Sequence, residues 1–280
     1  MTAASGDGPK GLILCINAAE NLLQAVFTNE HGAVLHACEQ EAASQGAEKL
    51  APMLASAFVA LGASPAALAR VACVRGPGSF TGLRLATTTA SGLARATGAL
   101  QAGIAYLPLI ALECAETLRN TLSPSLLLIL THARRGLVYA QAFTHNGLPS
   151  VSPVTELAVL TLTERDEAEE FIQRAIQKHA TAKLFLAGSG VAANKEILTP
   201  LAQRIAPDTA FIEITHPSPK TLALAACEAH GAAYAVDDII PLYVRPSDAE
   251  SNLPTLAQRL GINPHEAVRK LQILTSASPE

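Results

Sequence analysis

The residues best suited to chemistry lie in the run Gly76-Pro77-Gly78-Ser79-Phe80-Thr81-Gly82, followed by Leu83 and Arg84. It separates an apolar run at 71–74 from a helical pattern ending near Gly98. A strand-to-helix turn of this kind can hold an anion with its backbone N–H groups and the positive end of the helix dipole. Gly76, Gly78, Ser79, Thr81, Gly82 and Arg84 are therefore candidates for an anion or nucleotide loop. The competing reading is a tight turn in which Ser79 or Thr81 caps the helix. The run is not a phosphate-binding P-loop, because Leu83 stands where the Lys that reaches the terminal phosphates belongs. Nor does it have dinucleotide spacing, since the glycines read G-x-G-x-x-x-G and no Asp or Glu occurs between Lys49 and Leu112 to take a ribose.

Other chemistry is sparse. The eight histidines form no i, i+3 or i, i+4 pair that would aim two imidazoles at one metal. The five cysteines (Cys15, Cys38, Cys73, Cys114, Cys227) are far apart, with no C-x-x-C pair, and read as buried small hydrophobes of a reducing compartment. Ser79 and Ser189 sit in glycine-flanked turns, but neither lies in the G-x-S-x-G elbow that presents a nucleophile to a base. Ser79 is expected to cap its helix, and Gly188-Ser189-Gly190 to let the next helix start close to a sheet. No metal ligands and no catalytic residues are assigned.

The elements that position these groups follow from periodicity. Strands are expected at 11–17, 22–28 and 33–38, a helix at 48–61 stopped by Gly62, and a strand at 71–74 before the loop and its helix. In the second half, strands are expected at 126–130, 138–143 and 184–187, and helices at 164–178, 192–204 and 220–234. Asn146-Gly147 is a hairpin dipeptide. Strands mixed with crossover helices imply an α/β fold in two lobes, 11–107 and 108–245, with the boundary near Pro108. Residues 246–254 read as linker before a short helical pair in the extension 246–280, where Asn263 is an N-cap, Pro264 the first helical residue and Glu266 the far side of a capping box.

The helix after the loop is built from small residues, Ala86 to Ala90, Gly92, Ala94 and Ala96 among them. Such a helix can be approached closely, by its own sheet or by another protein. On the residues alone both readings stay open.

At 280 residues and 49% hydrophobic content the chain is globular, and a net charge of −4 excludes unaided nucleic-acid binding. With aromatics at 4% and no Trp there is no stacking platform for bases. The absence of a long apolar run argues against membrane insertion, and a cytoplasmic location is expected.

The run Gly-Pro-Gly-Ser-Phe-Thr-Gly-Leu-Arg at 76–84 resembles the signature of the TsaB (YeaZ) family. The resemblance extends through the N-terminal strand pair, Arg134-Arg135-Gly136-Leu137-Val138-Tyr139, Gly188-Ser189-Gly190 and Pro241-Leu242-Tyr243-Val244-Arg245. It implies the actin/Hsp70-like (ASKHA) fold with duplicated sheet-plus-helix lobes. It further implies a noncatalytic subunit, a pseudoenzyme by itself, that supports TsaD in making threonylcarbamoyladenosine on tRNA. The expected partners are a TsaD-like protein as heterodimer, a TsaE-like ATPase, tRNA through the complex, and a second copy when the partner is missing. The resemblance implies that the partner sits on the small-residue helix and the earlier one, which makes Leu50, Leu54, Thr87, Ala90, Leu93 and Ala94 the candidate partner interface. No cofactor of its own is expected, with ATP or ADP confined to an interface of the complex. Two positions depart from the family pattern: Asn17 replaces the Asp that positions metal and phosphates in that fold, and His132 replaces an Asp before Ala-Arg. The alternative function is an ATP-dependent small-molecule kinase of the same fold, and a further reading has the C-terminal helix pair on DNA.

Overall fold

The computed structural model describes residues 11–41, 45–120, 124–134, 136–146, 150–162, 165–179, 182–227, 233–245 and 248–276. Arg135, Gly147, Glu164, residues 228–232, Pro246 and Ser247, which figure in the expectations above, lie outside them. The chain divides into a large unit ending at Leu242 and a small one from Tyr243.

The large unit opens with β1 (Leu12–Asn17), β2 (Leu22–Thr28) and β3 (Val34–Glu41), an antiparallel meander. Helix α1 (Gly46–Ala60) leads to β4 (Leu68–Gly76), α2 (Phe80–Thr97) and β5 (Leu100–Ala105). The first sheet has the order β3-β2-β1-β4-β5, with β4 parallel to β1 and β5 parallel to β4. Every residue of β1 is buried, as expected of a central strand covered on both faces. Leu12, Leu14 and Ile16 point to a core shared with Leu50, Leu54, Ala57 and Phe58 of α1 and Ala86 and Ala90 of α2. Gly98 ends α2 in the left-handed conformation at φ 74°.

Helix α3 (Tyr106–Thr117) follows, and it packs against β4 of the first sheet and β6, β7 and β10 of the second. The second sheet comprises β6 (Ser125–Arg134), β7 (Leu137–His145), β8 (Ser152–Pro153), β9 (Ala158–Thr161), β10 (Lys183–Ala187) and β11 (Ala210–Ile212). Its order is β11-β10-β6-β7-β8, with β9 also on β7, β6 antiparallel to β7, and β10 and β11 parallel. Strands β6, β7, β8/β9, β10 and β11 thus repeat the roles of β1 to β5, so the lobes are duplicates and the fold is two-lobed α/β. Helix α4 (Arg165–Gln177) and α6 (Lys195–Ile205) cover the outer face, and the short α5 (Ser189–Ala193) sits at the end of β10. Helix α7 (Pro219–Ala225) returns to the first lobe and packs on β2 and β3.

Several expectations are corrected. Strands β5 and β11 and helix α3 were not anticipated. Seven residues of α3 are buried around its circumference, which removes any amphipathic stripe, and Pro108 lies in its first turn, where the missing N–H has no helical partner to lose. The helix expected over 192–204 is two helices, because Asn194 leaves the helical conformation at φ −130°. Of the helix expected over 220–234, α7 accounts for the part to Ala225, 228–232 lie outside the described residues, and Ala235 bridges Gln101 on the edge strand β5.

The small unit is a helical pair, α8 (Asp248–Arg259) and α9 (Pro264–Ser276), packed on each other. The stretch expected as linker is already helix from Asp248, with Pro254 inside it. Asn263 caps α9 through its Oδ1, which accepts the His265 N–H at 2.9 Å. Glu266 pairs with Lys270 at 2.8 Å. Because the two units are separately compact, a chain ending at Arg245 should unfold as cooperatively as the full chain and at the same midpoint, as calorimetry would show; loss of soluble protein would overturn this.

Candidate functional site at the lobe cleft

The glycine-rich loop is seated on the turn that follows β1. The Gly76–Pro77 bond is cis, and Ser79 N–H donates to the Ala19 carbonyl at 2.6 Å. A Cβ on Gly82 would lie 2.0 Å from the Ala18 oxygen, and one on Gly78 would lie 2.3 Å from that of Ala19. Only glycine permits this backbone-on-backbone contact. Ser79 is the N-cap of α2, its Oγ accepting the Gly82 N–H at 3.3 Å. Of the two readings of the loop, the capped turn describes Ser79. Thr81 and Arg84 are exposed on the first turns of α2, and the Arg84 guanidinium lies 4.2 Å from the Phe80 ring centre. Gly76 is buried under the Leu242 carbonyl.

The second lobe repeats the device. Gly188 follows β10 at φ +110°, and a Cβ there would stand 2.2 Å from the Leu130 carbonyl of β6. Ser189 then occupies the place in this lobe that the Ser79 turn has in the first.

Between the two turns lies a cleft of about 640 Å³ lined by Glu20, Glu41, Ser79, His132, Ser189 and His216 among others. Its central group is Glu20. One carboxylate oxygen accepts the Tyr106 O–H at 2.8 Å, and the other accepts a very short hydrogen bond from Ser189 O–H. Ser189 Oγ in turn accepts the His132 N–H at 2.9 Å. Burial pushes the Glu20 carboxyl above its usual range, the hydrogen bonds from Ser189 and Tyr106 opposing but not cancelling that effect. Burial likewise raises the Tyr106 phenol, helped by the adjacent Glu20 charge.

Asn17 does not face a ligand. It is 1% exposed, its Nδ2 donates to Gln24 Oε1 at 2.7 Å, and its Oδ1 accepts the Ala19 N–H at 3.0 Å. Gln24 passes the chain on to Glu39 at 2.6 Å and to the Pro217 carbonyl at 2.8 Å. Asn17 thus shapes the turn that receives the loop.

The nucleotide that this fold class implies does not fit these residues. Among the described residues, the cleft is lined by two carboxylates and by no Lys or Arg, and the Asn17 side chain is spent internally. Polyphosphate would meet charge of its own sign without a counter-cation. No cluster of three metal-ligating side chains occurs among the described residues. Ser189 donates to a carboxyl rather than to an imidazole, so no Ser–His nucleophile pair is assembled.

The candidate interface residues are placed differently from the expectation. Leu50, Leu54, Thr87, Ala90 and Ala94 are buried within their own lobe, at 1%, 6%, 5%, 0% and 3% exposure, and only Leu93 is half-buried. The small-residue stripe lets α2 lie close on its own sheet. The outward faces are Ala51, Ala55 and Val59 on α1 and Thr88 and Gly92 on α2. Glu20 and Tyr106 were passed over. Glu20 stood beside the position missing its Asp, which was the one available signal, but its partner Ser189 is 169 residues away.

Two outcomes follow. Ala90→Leu should destabilise the isolated chain by ~1–3 kcal/mol in denaturant titration, since it overpacks a closed core. A variant of unchanged stability would place that stripe outside the core. For Glu20, a folded-state pKa above the unfolded value of 4.5 means that proton binding favours the folded state. The stability of the wild type relative to Glu20→Gln should therefore be greatest below pH about 4.5 and fall as pH rises through the raised pKa. A difference that grows with pH would reverse the assignment.

The comparisons with known proteins agree with this geometry. The family model for "TsaD: tRNA N6-adenosine threonylcarbamoyltransferase" matches residues 38–152. No curated protein sequence matches the chain. Among solved structures, YeaZ from Pseudomonas aeruginosa superposes with a TM-score of 0.63 at 22% identity, over 84% of this chain and 100% of that one. A second structure, described as an uncharacterised protein with similarity to peptidase YEAZ from Pseudomonas aeruginosa, gives 0.62 at 20% identity over 84% and 100%. The chain thus has the two-lobed α/β fold of YeaZ, and the glycine-rich loop lies inside the TsaD-type segment.

Proposed function

We propose that this chain is a TsaB-type noncatalytic subunit that supports a TsaD-like protein in transferring the threonylcarbamoyl group to the adenosine next to the tRNA anticodon. The observation that carries the reading is the Gly76–Arg84 signature, seated by Gly78 and Gly82 on the β1 turn, in a fold similar to YeaZ from end to end of that protein. The match of residues 38–152 to a TsaD-type model fits a duplicated origin for the two partners. The cleft supports a noncatalytic role. It offers carboxylates with no Lys or Arg beside them, a serine bonded to a carboxyl rather than to an imidazole, and no metal-ligand cluster among the described residues. The transfer chemistry then belongs to the partner, and any ATP or ADP to the assembled complex, joined by a TsaE-like ATPase. On this reading tRNA is contacted through the other subunits, which the net charge of −4 favours. No described helix is long and apolar enough to cross a membrane, which suits a cytoplasmic complex.

Partner binding on this reading uses the outward faces of α1 and α2, with homodimers formed on the same face when the partner is missing. Val59 is 81% exposed and adjoins Ala51 and Ala55 on one face of α1. Docking two helices there needs small side chains, so Val59→Arg should weaken binding of the TsaD-like protein at least about tenfold, or ~1.4 kcal/mol, with the melting temperature of the isolated chain unchanged. The decisive experiment is co-purification with the TsaD-like protein of the same organism, followed by a threonylcarbamoylation assay on tRNA with and without this chain. Full transfer activity without it, or no complex, would refute the proposal.

A further inference from the structure

The first lobe, the helix between the lobes and the second lobe meet at one carboxyl group. Glu20 belongs to the turn after β1, Tyr106 is the first residue of α3, and Ser189 is the first residue of α5. Both Glu20 oxygens are engaged, one by each hydroxyl. The Ser189 oxygen is itself fixed to the second lobe, since it accepts the backbone N–H of His132 at the end of β6. Tyr106 is fully buried at 1% exposure, and its hydroxyl also reaches the Thr215 carbonyl at 3.4 Å. The Glu20–Ser189 bond joins two lining residues of the cleft from opposite lobes, and the charged or titratable side chains that share the lining are Glu41, His132 and His216.

We infer that Glu20 is a latch between the lobes, which holds the cleft closed by binding Ser189 of the second lobe and Tyr106 of the intervening helix at once. The geometry suits this role better than a ligand-binding one. A carboxylate accepts two hydroxyl hydrogens without a donor of its own left unpaired, so closure satisfies every polar atom of the three side chains. Two-lobed folds move by rotation about the segments that join the lobes, and a direct bond from one lobe to the other resists such a rotation. Opening must free the Glu20 oxygens and both hydroxyls together. The latch is independent of the proposed partner, since all three residues belong to this chain.

The test reads the distance between the lobes. Spin labels at Ala37→Cys on β3 and Gln203→Cys on α6, both exposed positions away from the proposed partner face, report it in the full chain once the half-buried Cys38 is replaced by Ser. Cys15, Cys73, Cys114 and Cys227 are buried and do not compete for label. The wild type should give a single short distance by pulsed dipolar electron spin resonance. Glu20→Gln, whose amide has one oxygen to offer two hydroxyls, should add a second, longer population. Ser189→Ala should do the same, and the double variant should go no further than either single one, because both remove the same bond. Tyr106→Phe removes one hydroxyl and no bulk, and it carries the test if Glu20→Gln fails to fold. A wild-type distance distribution in Ser189→Ala and Tyr106→Phe would overturn the latch.

Discussion

The contact on which the molecule depends is made by backbone alone: the glycine-rich loop lies on the turn after β1, with Ser79 N–H bonded to the Ala19 carbonyl and Gly82 against Ala18. It needs two things at once. The loop must lack Cβ atoms at Gly78 and Gly82, and the turn must hold its carbonyls at a fixed height. The second requirement is met by Asn17, whose buried amide ties the turn to Gln24 and receives the Ala19 N–H. A buried amide left with an unpaired group would cost ~1–3 kcal/mol, so the network from Asn17 through Gln24 to the Pro217 carbonyl is coupled to the loop it supports. An acid at this position would bring a buried charge instead. Asn17 thus suits a turn whose work is to receive a neighbouring backbone.

The duplication makes the comparison internal. In the second lobe Gly188 meets Leu130 as Gly78 meets Ala19, and Ser189 follows Gly188 as Ser79 follows Gly78. The two serines then part ways. Ser79 turns inward to cap α2, while Ser189 reaches across to Glu20. The two turns thus share a hydrogen-bonded side chain, and the cleft is defined by protein atoms on both sides.

Much of the first lobe was legible. Strands β1 to β3, α1 and α2 have clear periodicity and clear stops such as Gly62 and Gly98, and the loop residues stood out by composition. Helix α3 was not legible, because its first two turns are almost wholly apolar, its polar residues Glu113, Glu116 and Thr117 come only near its end, and Pro108 imitates a break. Strand β5 is short and carries Gly103 in its interior, which weakens the strand signal. The stripe of Thr87, Ala90 and Ala94 was visible as small, but smallness permits close approach without saying to what. The cleft was the least legible part, since Glu20, Tyr106 and Ser189 are brought together only by the pairing of the lobes, and nothing local marks any of them as a partner of the others.

The return of the chain to its starting lobe has an effect on its birth. Helix α7 covers β2 and β3, Ala235 pairs with Gln101 at the free edge of β5, and Leu242 N–H bonds to the Arg75 carbonyl beside the loop. All three are translated after the whole second lobe. A nascent chain leaving the ribosome therefore carries a first lobe with an open sheet edge and an uncovered face until residues 219–242 have been made. The second lobe, by contrast, is contiguous from β6 to β11 and can condense as soon as it emerges. The lobe encoded first is the one completed last, and its exposed edge during that interval is where the growing chain is most open to capture by another strand.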